Sequence, residues 1–139
     1  MHQGQTRKCA DPGRPIGTGE FQQQLIGTMY ADLQTAILWA QRQVALESNP
    51  NPPIPKAEIN AFWRTCKGQI AEYSFKVAQS ALKMMGTSGT GFSMPASRAI
   101  RDLAMGLVQA FPAERGRLQT AQFLVEGAEQ LGFGVVGKS

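Results

Sequence analysis

The sequence predicts an all-α protein with the architecture of an up-down-up-down four-helix bundle. Apolar residues recur at steps of three and four in four separate stretches, which is the spacing of one face of an α-helix. Prolines and glycines separate the stretches, and none of them shows the apolar-polar alternation that is typical of a strand. Each apolar stripe needs a partner surface, so four such helices with short connections are expected to pack as a bundle.

The first predicted helix covers about residues 19–47. Its stripe consists of Phe21, Leu25, Met29, Leu33, Ile37, Ala40 and Val44. The segment 48–55, SNPNPPIP, ends this helix because proline lacks a backbone donor and restricts the residue before it. Residues 1–18 show no periodicity and are interpreted as a flexible leader.

The second predicted helix covers about residues 56–85. Its stripe includes Ile59, Phe62, Trp63, Cys66, Ile70, Tyr73 and Val77. Because only about eight residues connect two long helices, we expect an antiparallel hairpin. Trp63 is expected to be at least partly buried in it.

Two shorter helices complete the predicted bundle. The third covers about residues 95–111, and Pro112 stops it. The fourth covers about residues 115–131, and its predicted core face contains Leu118, Ala121, Leu124 and Val125. Residues 132–139 form a glycine-rich tail that reads G-x-x-x-x-G-K-S. A phosphate loop follows a strand, whereas a predicted helix precedes this tail, so we do not expect a nucleotide site there.

Composition and charge disfavour several classes of protein. The formal net charge is +4, but the basic residues are scattered rather than massed in one run or interleaved with aromatic residues, which argues against nucleic acid binding. There is no apolar run of about 18 residues and no apolar signal core, so we expect a cytoplasmic protein without membrane contact. Cys9 and Cys66 have neither a disulfide nor a metal-ligand spacing, and no metal site is predicted.

The richest stretch for function is residues 83–103, KMMGTSGTGFSMPASRAIRDL. A glycine-rich loop follows the second predicted helix, and glycines allow left-handed backbone and the close approach of a ligand. Pro95 then restarts a helix, in which Arg98 and Asp102 are spaced to pair along one face. Alternatively, Gly86 could simply end the second helix. The pair of Arg98 and Asp102 could likewise be an exposed ion pair that contributes little to stability.

This order of motifs resembles the C-terminal helical domain of the acyl-CoA dehydrogenase superfamily. The resemblance rests on Met85-Gly86-Thr87-Ser88 followed by Pro95-x-x-Arg98-x-x-Arg101-Asp102, and it extends over residues 19–131. It implies a helical bundle and FAD bound near the glycine loop, in a site shared with a partner chain. The residues that the resemblance implies for cofactor binding are Gly86, Thr87, Ser88, Gly89, Arg98 and Arg101.

The familiar catalytic signatures of the resembling enzymes are missing. Many of these dehydrogenases carry a carboxylate base nine residues past the Arg of Arg-Asp, where this chain has Ala110. The related flavin hydroxylases often carry a histidine slightly earlier, where Val108 and Gln109 stand. The only histidine is His2, so no catalytic residue is predicted, and a base would have to come from a partner or from Glu114.

Two functional hypotheses remain open at this stage. In the first, the chain is a stand-alone C-terminal domain of an acyl-CoA dehydrogenase-like flavoprotein oxidoreductase. It would bind FAD and an acyl substrate only in a shared site, as a homo-oligomer or together with a flavoprotein N-terminal half. In the second, it is a flavin-free bundle that acts as a small-molecule pocket or an assembly scaffold.

Overall fold

A computed structural model describes residues 19–127 of the chain. The α-helices are α1 (Glu20–Ser48), α2 (Lys56–Met85), α3 (Pro95–Val108) and α4 (Ala113–Glu126), and a 3₁₀ helix covers Gly86–Thr90. No strand occurs between residues 19 and 127, so the all-α class is confirmed. The up-down-up-down arrangement of the bundle stays a prediction. The leader 1–18 and the tail 132–139, with its G-x-x-x-x-G-K-S pattern, lie outside the described residues.

The third and fourth helices end earlier than predicted. α3 ends at Val108 instead of near residue 111. α4 ends at Glu126 rather than near residue 131, because Gly127 leaves the helix with a φ of 92°. Glycine adopts this backbone readily and commonly follows the last helical residue. None of the helices in the described part of the chain is long and apolar enough to cross a bilayer.

The chain divides into two compact units. Of the described residues, the first unit contains 19–34 and 73–105, and the second contains 35–72 and 106–127. In the second unit, α1 and α2 are antiparallel, as expected from the short connection. Gln43 Nε2 donates to the carbonyl of Ile59 at 3.0 Å, and the Cys66 thiol donates to the carbonyl of Trp39 at 3.4 Å. Residues later in α1 therefore contact residues earlier in α2.

Small residues join α4 to α2 in the second unit. A Cβ added at Gly116 would lie 2.6 Å from the carbonyl oxygen of Arg64, and one at Gly68 would lie 2.8 Å from the Cβ of Ala113. The hydroxyls of Thr65 and Thr120 form a short hydrogen bond beside these contacts. The backbones of α2 and α4 thus approach as closely as glycine permits. Dispersion contacts between backbone atoms and small side chains stabilise this approach.

The apolar faces predicted for α1 and α4 are partly wrong. On α4, Leu118, Leu124 and Val125 are exposed, whereas the buried residues are Ala113, Gly116 and Gln119. On α1, Phe21, Leu33 and Val44 are exposed, whereas Gln22 and Gln43 are buried. The reason on α4 is its close approach to α2, which only small side chains allow.

Phe111 anchors the corner between α3 and α4. Its ring is buried and meets the edge of Trp63 at a centroid distance of 6.0 Å. Lys67 Nζ donates to the carbonyls of Gly106 at 2.9 Å and Phe111 at 2.8 Å. The bond to Gly106 satisfies a carbonyl that the end of α3 leaves without a helical partner, and the bond to Phe111 satisfies a carbonyl of the loop that follows. Trp63 keeps 39% of its surface exposed, so it is partly buried, as predicted.

The contact between Gly116 and Arg64 leads to a stability prediction. Gly116→Ala should destabilise the protein by about 1–3 kcal/mol, because the new methyl group would overlap a backbone carbonyl rather than a flexible side chain. Gly27→Ala on α1 is the control within a helix, since nothing lies within 4 Å of a Cβ added at Gly27. It should be neutral or stabilise by up to about 1 kcal/mol. Urea unfolding followed by circular dichroism measures both, and equal effects of the two substitutions would contradict the close packing.

Candidate functional site

The glycine loop is mostly an ordered turn at the end of α2. Gly86 has a φ of +65° directly after the last helical residue, which is the usual role of a glycine there. Residues 86–90 form the 3₁₀ helix, in which the Ser88 hydroxyl donates to the Met85 carbonyl at 2.9 Å. The Thr90 hydroxyl donates to the Thr87 carbonyl at 2.7 Å. Local bonds therefore use much of the polar capacity that was expected to face a ligand.

Gly86 and Gly89 have different roles. An added Cβ at Gly86 would meet nothing within 4 Å, so its surface is open to a ligand. Gly89 is buried, and a Cβ there would lie 2.8 Å from the Cβ of Met85 and 3.3 Å from Leu82 Cδ1. Gly89 thus lets the turn pack against α2, and this packing leaves little room for a ligand at its Cα.

Arg101 binds the loop that precedes its own helix. Its Nη2 donates to the carbonyl of Phe92 at 2.6 Å, and its Nη1 donates to the Ser97 hydroxyl at 2.9 Å. The guanidinium also lies 4.0 Å from the centre of the Phe92 ring, within the range of a cation–π contact. The side chain therefore fastens the loop to α3, although it remains exposed to solvent.

Arg98 forms the predicted pair with Asp102. Its Nε lies 3.6 Å from Asp102 Oδ2, and the two side chains are 75% and 69% exposed. Such a pair contributes little to stability. Its guanidinium is correspondingly accessible to an anion. All six residues predicted for cofactor binding lie in the first unit, and every one except Gly89 is exposed.

Sequence reasoning missed the hydrogen bonds of Arg101 that hold the loop between the 86–90 turn and α3. Ser97 stands four residues before Arg101 on α3, so its contact could have been found from helical spacing. The carbonyl of Phe92 could not, because the path of a glycine-containing loop has no sequence period. Arg101 and Ser97 are consequently engaged in holding this loop.

The position of the missing carboxylate base lies outside a helix. α3 has ended before Ala110, which takes a φ of +67° while the amide of Phe111 donates to the carbonyl of Gln109 at 2.8 Å. This is a tight three-residue turn of a strained type. Glu114 lies on the exposed side of the first turn of α4, where an acidic residue stabilises the helix end. Between residues 19 and 127, no group of three acidic, histidine or cysteine side chains could hold a metal ion.

A second group of cations surrounds Phe111, in the second unit. The Arg64 guanidinium lies 5.0 Å from the Trp63 ring centre and 5.6 Å from that of Phe111. Burial lowers the pKa of Arg64, and the nearby charge of Arg115 lowers it further. A guanidinium still keeps its proton at neutral pH, because its ordinary pKa is so high. This cluster packs the corner between α3 and α4.

The thiol of Cys66 is poorly suited to nucleophilic chemistry. Burial raises its pKa, the nearby carboxylate of Glu47 raises it further, and Arg42 partly opposes these effects. A thiolate is the reactive form of cysteine, so a raised pKa suppresses reaction. The inward position of Cys66, expected from its place on the second stripe, is confirmed.

A family model described as acyl-CoA dehydrogenase, C-terminal domain, matches residues 5–108. The match covers well over half of the chain, and the chain therefore belongs to this family. It includes the glycine loop and all of α3, whereas α4 follows the matched residues. No curated protein and no solved structure matches the chain.

The contacts of Arg101 predict an effect on the loop. Arg101→Ala should destabilise the protein by about 0.5–1.5 kcal/mol and accelerate proteolysis within residues 90–94, because two hydrogen bonds and a ring contact are lost. Arg98→Ala is the matched control on the same helix and should stay within about 0.5 kcal/mol. Limited proteolysis and urea unfolding measure the two effects. Indistinguishable variants would show that Arg101 does not hold the loop.

The environment of Cys66 predicts slow labelling. In a Cys9→Ser variant, Cys66 should react with Ellman's reagent far more slowly than a free thiol at pH 8 and normally after denaturation. Because the folded pKa is raised above the unfolded one, the stability contributed by the neutral thiol is present below the unfolded pKa and is lost as pH rises through the folded pKa. Fast labelling of the folded variant would contradict the assignment.

Proposed function

We propose that the chain supplies one helical wall of a flavin and acyl-substrate site that it shares with a partner chain. Membership of the acyl-CoA dehydrogenase C-terminal domain family is the observation that carries this proposal. The exposed surface formed by Gly86, Thr87, Ser88 and Arg98 in the first unit supports it. The partner would be a flavoprotein chain that contributes an N-terminal half, including the β-domain that the helical chain does not resemble.

The described residues offer only part of what a flavin needs. A bound FAD would supply the hydride acceptor for an α,β-dehydrogenation, but a flavin requires a large enclosing surface with several placed polar groups. Here the side chain of Met85 packs against Gly89 and leaves little room for a ligand at its Cα. Arg101 already donates hydrogen bonds to Phe92 and Ser97. The fit of these residues to a whole flavin is therefore incomplete, which favours a site completed by a partner.

We assign different roles to the two arginines in this proposal. Arg98 would pair with a phosphate of the cofactor, because its guanidinium is exposed and its bond to Asp102 is long. Arg101 would position the loop on which the partner closes, since its donors already hold Phe92 and Ser97. The base that removes the substrate proton would come from the partner or from Glu114. Ala110 has no group that could accept a proton.

The second candidate is a flavin-free bundle that holds a small molecule or scaffolds an assembly. The tight turn at Ala110 favours it, because the position of the family's base is both uncharged and removed from α3. In either role we propose an up-down-up-down bundle that works as an oligomer in the cytoplasm. The oligomer would contain identical chains in the second role, and could contain the flavoprotein half in the first.

A fluorescence titration with FAD distinguishes the two candidates. The purified chain alone should not bind FAD tightly, because the exposed glycine loop and the accessible guanidinium of Arg98 do not enclose a flavin. Binding should appear on mixing with a flavoprotein chain that supplies the N-terminal half. Tight binding by the chain alone would refute the shared site, and a colourless homodimer that ignores such a subunit would favour the second candidate.

Two variants locate the contact within the mixed complex. Arg98→Ala should weaken FAD binding by about tenfold, the usual effect of removing one charge-assisted bond. Lys83→Ala is the control, since this exposed cation lies in the last turn of α2, before the glycine loop. If both variants bind FAD as the parent chain does, Arg98 has no role in the cofactor site.

A further inference from the structure

The tip of the α1–α2 hairpin, in the second unit, contains a cavity that the proposed function does not use. Its volume is about 650 Å³, and it lies between the last turn of α1, the proline-rich connection and the first turns of α2. Leu46 and Ile59 give it an apolar wall, and Ile59 is itself buried. Cavities of this size hold small organic ligands in many proteins.

A buried amide fixes one charge on the wall of this cavity. Gln43, which is only 7% exposed, donates from Nε2 to Glu47 Oε1 at 2.9 Å and to the Ile59 carbonyl at 3.0 Å. Both Glu47 and Ile59 line the cavity. The carboxylate of Glu47 is thereby held in one orientation. A ligand cation that binds it would therefore cause little further loss of side-chain entropy.

The two helix ends give the cavity opposite electrical poles. Glu47 lies in the last turn of α1, the negative end of that helix, and this turn contains no basic residue. Lys56 is the first residue of α2, the positive end of its helix, and it also lines the cavity. No ion pair joins Glu47 to Lys56 within residues 19–127. The Glu47 carboxylate and the Lys56 ammonium are therefore available to a ligand that carries one positive and one negative charge.

We propose that the hairpin tip binds a short zwitterionic peptide with an apolar side chain. The ligand ammonium would pair with Glu47, its carboxylate with Lys56, and its side chain would lie against Leu46 and Pro52. Asn60 also lines the cavity, and its carboxamide offers both a donor and an acceptor to a peptide bond. The volume is large enough to admit a dipeptide.

An NMR titration of the isotope-labelled full chain with glycyl-leucine tests the proposal. The dipeptide should shift the backbone amide signals of Glu47, Lys56 and Ile59 at millimolar concentration. N-acetyl-glycyl-leucine lacks the ammonium, and glycyl-leucinamide lacks the carboxylate. Each should bind about threefold or more weakly, because each loses one solvent-exposed ion pair.

Matched variants separate charge recognition from adsorption to an apolar surface. Glu47→Gln and Lys56→Met keep the side-chain size, and both residues are exposed, so the fold should persist. Each should weaken glycyl-leucine binding by about threefold or more, whereas Lys83→Met at the other end of α2 should leave it unchanged. The proposal is overturned if glycyl-leucine shifts no signal at the tip. Equal binding of the blocked peptides or of the charge variants would also overturn it.

Discussion

The close contact between α2 and α4 is the constraint on which the second unit depends. Gly68 and Gly116 have no room for a Cβ, because Ala113 lies against Gly68 and the carbonyl of Arg64 lies against Gly116. Since this contact excludes larger side chains, α4 turns its leucines away from α2. The turn at Ala110 and the hydrogen bond from Lys67 to Phe111 then bring the start of α4 against Gly68 of α2.

In the first unit, local hydrogen bonds occupy several of the polar groups that the sequence motif predicted for cofactor binding. A glycine loop without local bonds would offer its amides and hydroxyls to a cofactor, but the 86–90 turn uses several of them itself. Arg101 likewise donates to its own loop, and Arg98 retains the more accessible charge. This division explains why a family member can keep the motif while its described residues offer an incomplete flavin site.

Helix ends give the hairpin tip an electrical character of its own. An antiparallel pair places the negative end of α1 beside the positive end of α2, and Glu47 and Lys56 reinforce the two poles. The buried Gln43 then orients one of these charges. Gln43 lies on the buried face of α1, where the sequence predicted only apolar residues. It thus determines the orientation of a charged group that lines the cavity.

The sequence alone determined the helical class, the limits of the two long helices and the family, because period, prolines and motif order are local properties. It also placed Arg98 and Asp102 as a pair, since helical spacing fixes that contact. Tertiary structure decided which face of α4 is buried, whether Gly89 meets a ligand or α2, and where Arg101 donates. These outcomes depend on how closely two backbones approach and on the path of a loop, and neither quantity has a period that a sequence can display.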